Sequence, residues 1–139
     1  SGFSKSGVIE KKEKFEIVTT VFGRVCEENE VDEYLYPARN IYTLYVGGMG
    51  AKSKNFYYNL FCEYGYEDIA DELQNLYLSG KKKESEQLFP RELLDELTLV
   101  GTKKDIEQKL EKWKDSNITE ISLSLPIDFE TVKFIKELL

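Results

Sequence analysis

Leu99-Val100-Gly101-Thr102, a charged amphipathic segment running to Lys114, and then Thr119-Glu120-Ile121-Ser122-Leu123-Ser124-Leu125-Pro126 together decide the fold class of this chain. Thr102 is a helix N-cap residue, and Asp105 stands three positions on, where the acid of a capping box belongs. Ile106, Leu110 and Trp113 follow at i, i+4 and i+7 and define one apolar helix face. Asn117 is a turn residue. Thr119–Leu125 reads as a strand, and Pro126, which cannot donate to a ladder, ends it. Phe129, Val132, Phe134, Ile135 and Leu138 mark a closing helix. A helix that feeds a strand, with another helix behind it, belongs to parallel α/β architecture.

A second strand is expected near the start. Residues from Phe15 through Val25 to Cys26 are rich in β-branched and aromatic types, with a nearly continuous apolar middle, as in a strand buried on both faces. The polar, basic stretch before it, Ser1 to Lys14, reads as a short turn or helix remnant and a loop. Between the two strands the pattern is helical. Val31 to Val46 carries an apolar stripe through Leu35, Ala38, Ile41, Tyr42 and Tyr45, with Pro37 inside. Gly47-Gly48-Met49-Gly50 ends it in a flexible turn. A helix from near Ser53 ends at Gly65, and another spans Glu67 to Leu78 and buries Ile69, Ala70, Leu73, Leu76 and Tyr77. Lys81 to Glu86 reads as a solvated charged helix or loop, and Pro90 opens a short helix to Leu97. The expected fold is one α/β domain over 1–139, mostly helical, with two parallel strands at about 15–25 and 119–125 and a long helical insertion. A two-stranded sheet buries little alone. Either the helices provide the core or another chain completes the sheet.

Composition excludes several classes. The net charge of −7 argues against a nucleic-acid or anionic-membrane surface. No apolar run approaches the roughly 20 residues of a membrane span, and Ser1-Gly2-Phe3-Ser4-Lys5 is neither a secretion signal nor a targeting helix. The chain has no histidine, which removes the commonest general base and transition-metal ligand. Cys26 and Cys62 form no CxxC pair, so no metal site is expected. The pair reads as reduced, mostly buried thiols of a cytoplasmic protein.

An ordered series of short motifs carries a resemblance. It runs Tyr45-Val46-Gly47-Gly48-Met49-Gly50, Asn55-Phe56-Tyr57, Tyr64-Gly65-Tyr66 with Ile69-Ala70, and Leu76-Tyr77-Leu78-Ser79-Gly80. Phe89-Pro90-Arg91-Glu92-Leu93-Leu94-Asp95 and Leu99-Val100-Gly101-Thr102 continue it. Taken together, from about Phe15 onward, the chain resembles the C-terminal part of luciferase-like monooxygenases, with the deazaflavin (F420) branch closer than the FMN-dependent one. The resemblance implies a sector of a (β/α)8 barrel, Phe15–Val25 and Ile121–Leu125 being its seventh and eighth strands. It implies an oxidoreductase that transfers hydride, or inserts oxygen, on a small-molecule substrate. A whole barrel needs about 250 residues. The resemblance therefore also implies that this chain lacks the first six strands, completes no active site alone and binds neither F420 nor FMN tightly. The alternative reading is a non-catalytic α/β interaction or dimerisation module of barrel ancestry, partnered by a second copy or by the missing N-terminal half.

Candidate site residues follow from the barrel rule that active sites gather at the carboxyl ends of strands. That rim would hold Thr19, Thr20, Gly23 and Arg24 after the first strand, and Ser124 and Pro126 after the second. Thr20 and Arg24 are cofactor candidates. Arg24 could grip an anion with its planar fork, or pair with Glu27 or Glu28. Gly47 and Gly48 could offer backbone N–H groups to a phosphate, with Lys54 beside them, or could simply form a turn. Asn55 and Tyr57 could line a substrate pocket, or cap and pack a helix. No catalytic residue stands out.

Overall fold

The computed structural model describes residues 16–51, 54–124 and 127–139. Among these residues three parallel strands lie in the order β2-β1-β3. Strand β1 (Val18–Val25) is central. It pairs along most of its length with β3 (Glu120–Ser124), in the register Val18↔Glu120 to Phe22↔Ser124. The two expected strands are therefore side by side and point the same way. Phe15, at the expected start of the first, Leu125 and Pro126, at the end of the second, and the stretch Ser1–Lys14 lie outside the described residues. One strand was missed: Leu99–Gly101 forms β2, which pairs with the carboxyl-terminal half of β1 from Gly23↔Leu99 to Val25↔Gly101. Three residues are too few to show a period of two. The pairing exists because Leu99 and Val100 are buried against β1 and the core.

The helices are α1 (Val31–Gly48), α2 (Phe56–Phe61), α3 (Glu67–Leu78), α4 (Lys82–Leu88), α5 (Arg91–Glu96), α6 (Lys103–Lys114) and α7 (Phe129–Leu138), with a short 3₁₀ turn at Glu28–Glu30 and a π-helical turn at Cys62–Tyr66. Helix α1 contains Pro37 one turn and a half from its start. In the turn after α2, Gly65 adopts φ +91°, a conformation that costs glycine little. Helix α2 begins at Phe56 behind its N-cap Asn55, a few residues after Ser53, which lies outside the described residues. Thr102 and Asp105 form the capping box read from their spacing: the Thr102 N–H donates to Asp105 Oδ2 at 3.0 Å, and the Asp105 N–H to Thr102 Oγ1 at 3.3 Å.

Two apolar cores result. One gathers Leu35, Ala38 and Val46 of α1, Phe61, Ala70 and Leu73 of α2–α3, and Phe89, Leu93 and Leu94. The other lies under the sheet, where Val21 and Leu99 meet Ile106 and Leu110 of α6 and Ile135 of α7. Strand β1 touches both: Phe22 packs on the helical core, edge-on to Tyr42 at 6.2 Å, while Val21 faces α6 and α7. The expectation of a strand buried on both faces holds only for its carboxyl half. Val18 is 51% exposed, and Thr20, Glu120 and Ser122 on the same face are exposed too. The helical core reaches that face toward its carboxyl end, at Phe22 and Val100.

Other expectations are corrected by burial. Lys81–Glu86 is not solvated throughout, because Ser85 and Glu86 are buried in α4. The Ser85 hydroxyl donates to the Leu73 carbonyl at 2.8 Å, and Asn40 Nδ2 to Glu86 Oε1 at 2.8 Å, so both polar groups are bonded where they are buried. In α3 the buried set is Ala70, Leu73 and Gln74, while Leu76 and Tyr77 are half-buried. In α7 Ile135 is buried, but Phe129 and Val132 face outward.

Candidate functional site

The carboxyl end of the sheet is built around Arg24. Its position near the end of β1 places it on the same face as Thr20 and Phe22, since side chains alternate along a strand. Its Nη1 lies 2.9 Å from Asp128 Oδ2. Its Nη2 donates to the Tyr34 hydroxyl at 3.4 Å, and its guanidinium carbon sits 4.5 Å from the centre of that ring. Glu27 and Glu28, the expected partners, do not form the pair. Asp128 does, because it caps α7: its Oδ1 accepts the Thr131 N–H at 2.8 Å, which fixes the carboxylate above the strand end. The Thr131 hydroxyl in turn accepts the Val25 N–H at 2.9 Å and ties α7 to β1. The Thr131 hydrogen bond, and then Arg24, hold the Asp128 carboxyl below its ordinary range, against the opposing effect of burial. Arg24 thus already has a resident anion. Asp128, Tyr34 and Thr131 were missed by sequence reading. Only Asp128 carried a signal, an aspartate three residues before a threonine at a helix start.

That pairing has a pH consequence. A carboxyl whose pKa is lowered by folding contributes stability that is present above its unfolded pKa, about 3.9, and is lost as pH falls through the folded value. Asp128→Asn keeps the cap acceptor but removes the charge facing Arg24. Urea unfolding should therefore show the variant less stable than the parent at pH 7, with the gap closing below about pH 4. An unchanged gap at both pH values would show that the charge contributes nothing.

The remaining candidates lie elsewhere. Gly47 and Gly48 fall within the last turn of α1, where backbone N–H groups are directed to carbonyls of the preceding turn. A Cβ at Gly47 would stand 2.6 Å from Tyr77 Cβ, and one at Gly48 2.6 Å from the Tyr77 ring, so these glycines let α1 and α3 approach closely. Asn55 is 1% exposed and uses its whole amide. Its Nδ2 donates to the Tyr45 and Val46 carbonyls, each at 2.9 Å, and its Oδ1 accepts the Tyr58 N–H at 3.1 Å. It caps α2 and closes the end of α1 in one step. Tyr57 stacks on Tyr45 with ring centres 4.7 Å apart and lines a small apolar pocket of about 80 Å³ with Tyr42, Leu60 and Tyr64. Lys54 is exposed. Gly47, Asn55 and Tyr57 therefore share the far end of α1, whereas Thr20 and Arg24 belong to the sheet.

Both cysteines are free. Cys26 is buried beyond β1, and burial, then Glu30, raises its pKa. Cys62 is only half-buried. A thiol reagent such as DTNB should therefore modify one equivalent quickly at Cys62, with Cys26 reacting only as the protein unfolds. Two equally fast thiols would contradict the burial of Cys26. Among the described residues no group of three or more His, Cys, Asp or Glu could hold a metal ion, and no helix is long and apolar enough to cross a membrane.

The fold defines an α/β protein, mostly helical, with a small parallel sheet whose carboxyl end carries an arginine–aspartate pair. Comparison with known proteins adds one relative. Over 118 residues, 85% of its length, the chain is 30% identical to a protein of Mycobacterium tuberculosis named "Putative coenzyme F420-dependent oxidoreductase". The match takes in 33% of that relative, so the chain spans about one third of its length. No family model matches the chain, and no solved structure gives a significant match.

Proposed function

We propose that this chain is one sector of an F420-linked oxidoreductase of the luciferase-like type, working in the cytoplasm on a small-molecule substrate by hydride transfer. In this reading β1 and β3 are consecutive strands of a (β/α)8 barrel. Helices α1–α5 and the short β2 form the insertion between them, and α6 leads into β3. The observation that carries the reading is the sheet itself. Its strands are parallel, α6 and α7 cover one face, and the other face is exposed at Val18, Thr20, Glu120 and Ser122. Parallel sheets are normally covered on both sides, and the exposed side is the one a barrel would turn inward. The name of the mycobacterial relative supports F420 over FMN.

The residues at hand do not by themselves fit the cofactor. Arg24 is paired with Asp128, the N–H groups of Gly47 and Gly48 lie inside a helix turn, and Thr20 stands on an open sheet face. Among the described residues no wall encloses a tricyclic ring, and in this reading the chain alone is incomplete for catalysis. F420 titrated into it by calorimetry should bind more weakly than about 1 μM, and FMN likewise. A tighter constant for either would overturn the reading.

A second reading, a non-catalytic module that pairs with another copy, is favoured by Phe129, Val132 and Leu139, which are 82, 40 and 71% exposed on and just beyond α7. Light scattering separates the two. A stable dimer supports the module, and a monomer supports the barrel sector.

A further inference from the structure

We infer that Lys109 is a covalent capture site for small uncharged carbonyl compounds. It sits in a cleft at the carboxyl end of β2, distinct from the open sheet face and independent of the cofactor reading. The cleft holds about 320 Å³ and is lined by residues of the 3₁₀ turn, α5, β2 and α6. In open α/β sheets the space beyond the carboxyl ends of the strands is where ligands bind.

The amine is unusual in its surroundings. The Lys109 side chain is 17% exposed. Its Nζ donates to the Val100 carbonyl at 3.0 Å and lies 3.7 Å from Asp95 Oδ1. The other oxygen of that carboxylate is 3.4 Å from Arg91 Nε, so Asp95 is shared between two cations, although Arg91 Nη1 also pairs with Asp32. The next acid in the wall, Asp105, is occupied by the Thr102 N–H and hydroxyl at 3.0 and 2.7 Å. A desolvated lysine beside a second cation releases its proton more easily and becomes a nucleophile. Burial lowers the Lys109 pKa, and Asp95 and Asp105 only partly oppose it.

The chemistry needs no co-reactant. The neutral amine adds its electron pair to the carbonyl carbon. The C=N bond then forms as the C–O bond breaks, and the oxygen leaves as water with the two amine protons. Asp95 is near enough to carry one of them. The charge in the wall selects the substrate. Besides Lys109, the wall carries Glu28, Asp95 and Asp105, which outnumber Arg91 and Lys112. An uncharged aldehyde is therefore favoured over an oxo-acid anion.

Reductive alkylation tests this on the whole chain. The protein is treated with propionaldehyde and cyanoborohydride near neutral pH, and each lysine is followed by peptide mass mapping. Lys109 should react at least about twofold faster than the exposed Lys112 or Lys104, as a desolvated amine nucleophile would. Its rate should level off at lower pH than theirs, and glyoxylate should label it more slowly than propionaldehyde does. The Lys109→Arg variant should lose the fast phase while its circular dichroism is unchanged. Equal labelling of Lys109 and Lys112, or faster labelling by glyoxylate, would overturn the inference. Both of those comparisons are made on the parent protein and do not depend on the variant folding.

Discussion

Asn55→Ala should destabilise the protein by about 3 kcal/mol, since each buried backbone group left unpaired costs about 1–3 kcal/mol. The Asn55 amide is the donor for the Tyr45 and Val46 carbonyls, which lie among the last carbonyls of α1 and have no partner within the helix. The same side chain caps α2 through the Tyr58 N–H. Removing it opens both helix ends at a place that is 1% exposed. Asn55→Ser should recover about 1 kcal/mol, the usual worth of an N-cap acceptor, because serine can accept from Tyr58 but cannot reach the two carbonyls. Asn55→Asp is the sharper variant. Its carboxylate accepts from Tyr58 equally well, yet it faces two carbonyl oxygens with no proton to offer. Burial and those oxygens would raise its pKa in the folded state. By linkage its penalty should grow as pH rises through the carboxyl range and shrink on acidification, when the protonated form regains a donor. Urea unfolding at pH 4 and pH 7 checks the order. Asparagine, serine and alanine variants of equal stability would show that the amide bonds contribute nothing.

Gly47→Ala should also destabilise the protein, against the helix-propensity trend. Alanine is favoured over glycine inside a helix by about 1 kcal/mol. Here the new methyl would meet Tyr77 Cβ at 2.6 Å and Cγ at 2.7 Å, atoms held close to the α3 backbone and unable to swing away. Moving α3 away would loosen the core around Leu35, Ala70 and Leu73, which are fully buried. Overpacking of this kind costs about 1–3 kcal/mol, so the net effect should be a lower thermal midpoint. Tyr77→Ala should not rescue the variant, because alanine retains the Cβ that clashes. Tyr77→Gly should relieve the clash, although it carries its own helix penalty. A Gly47→Ala protein more stable than the parent would mean that α1 and α3 do not approach as closely as the structure has them.

These two residues show where sequence reading stops. Gly47 belonged to a Gly-Gly-Met-Gly run that reads as a turn or as a phosphate loop, and Asn55 reads as a pocket residue or a cap. Each alternative is locally plausible. What separates them is the neighbour, Tyr77 for one and the end of α1 for the other, and no spacing within the run encodes it. Arg24 is similar. Its place near the end of a strand was legible, but its partner was sought in the next few residues and lies instead at the cap of the last helix.

Elements with short-range signals were legible from the residues alone. These were β1 and β3 by their β-branched and apolar content, α1 and α3 by their stripes, α6 by the Thr102–Asp105 box, and the turn at Gly65 by the conformational freedom of glycine. Tertiary structure decided what depends on distant contacts. A three-residue strand acquires its identity only by pairing with β1. Ser85, Glu86 and Gln74 became interior only when α1, α3 and α4 closed around them. The half-open face of the sheet follows from a helical core that covers only its carboxyl end, at Phe22 and Val100. Local propensity acts through neighbours three or four residues away, whereas burial is a property of the whole assembled surface, and no window of sequence contains it.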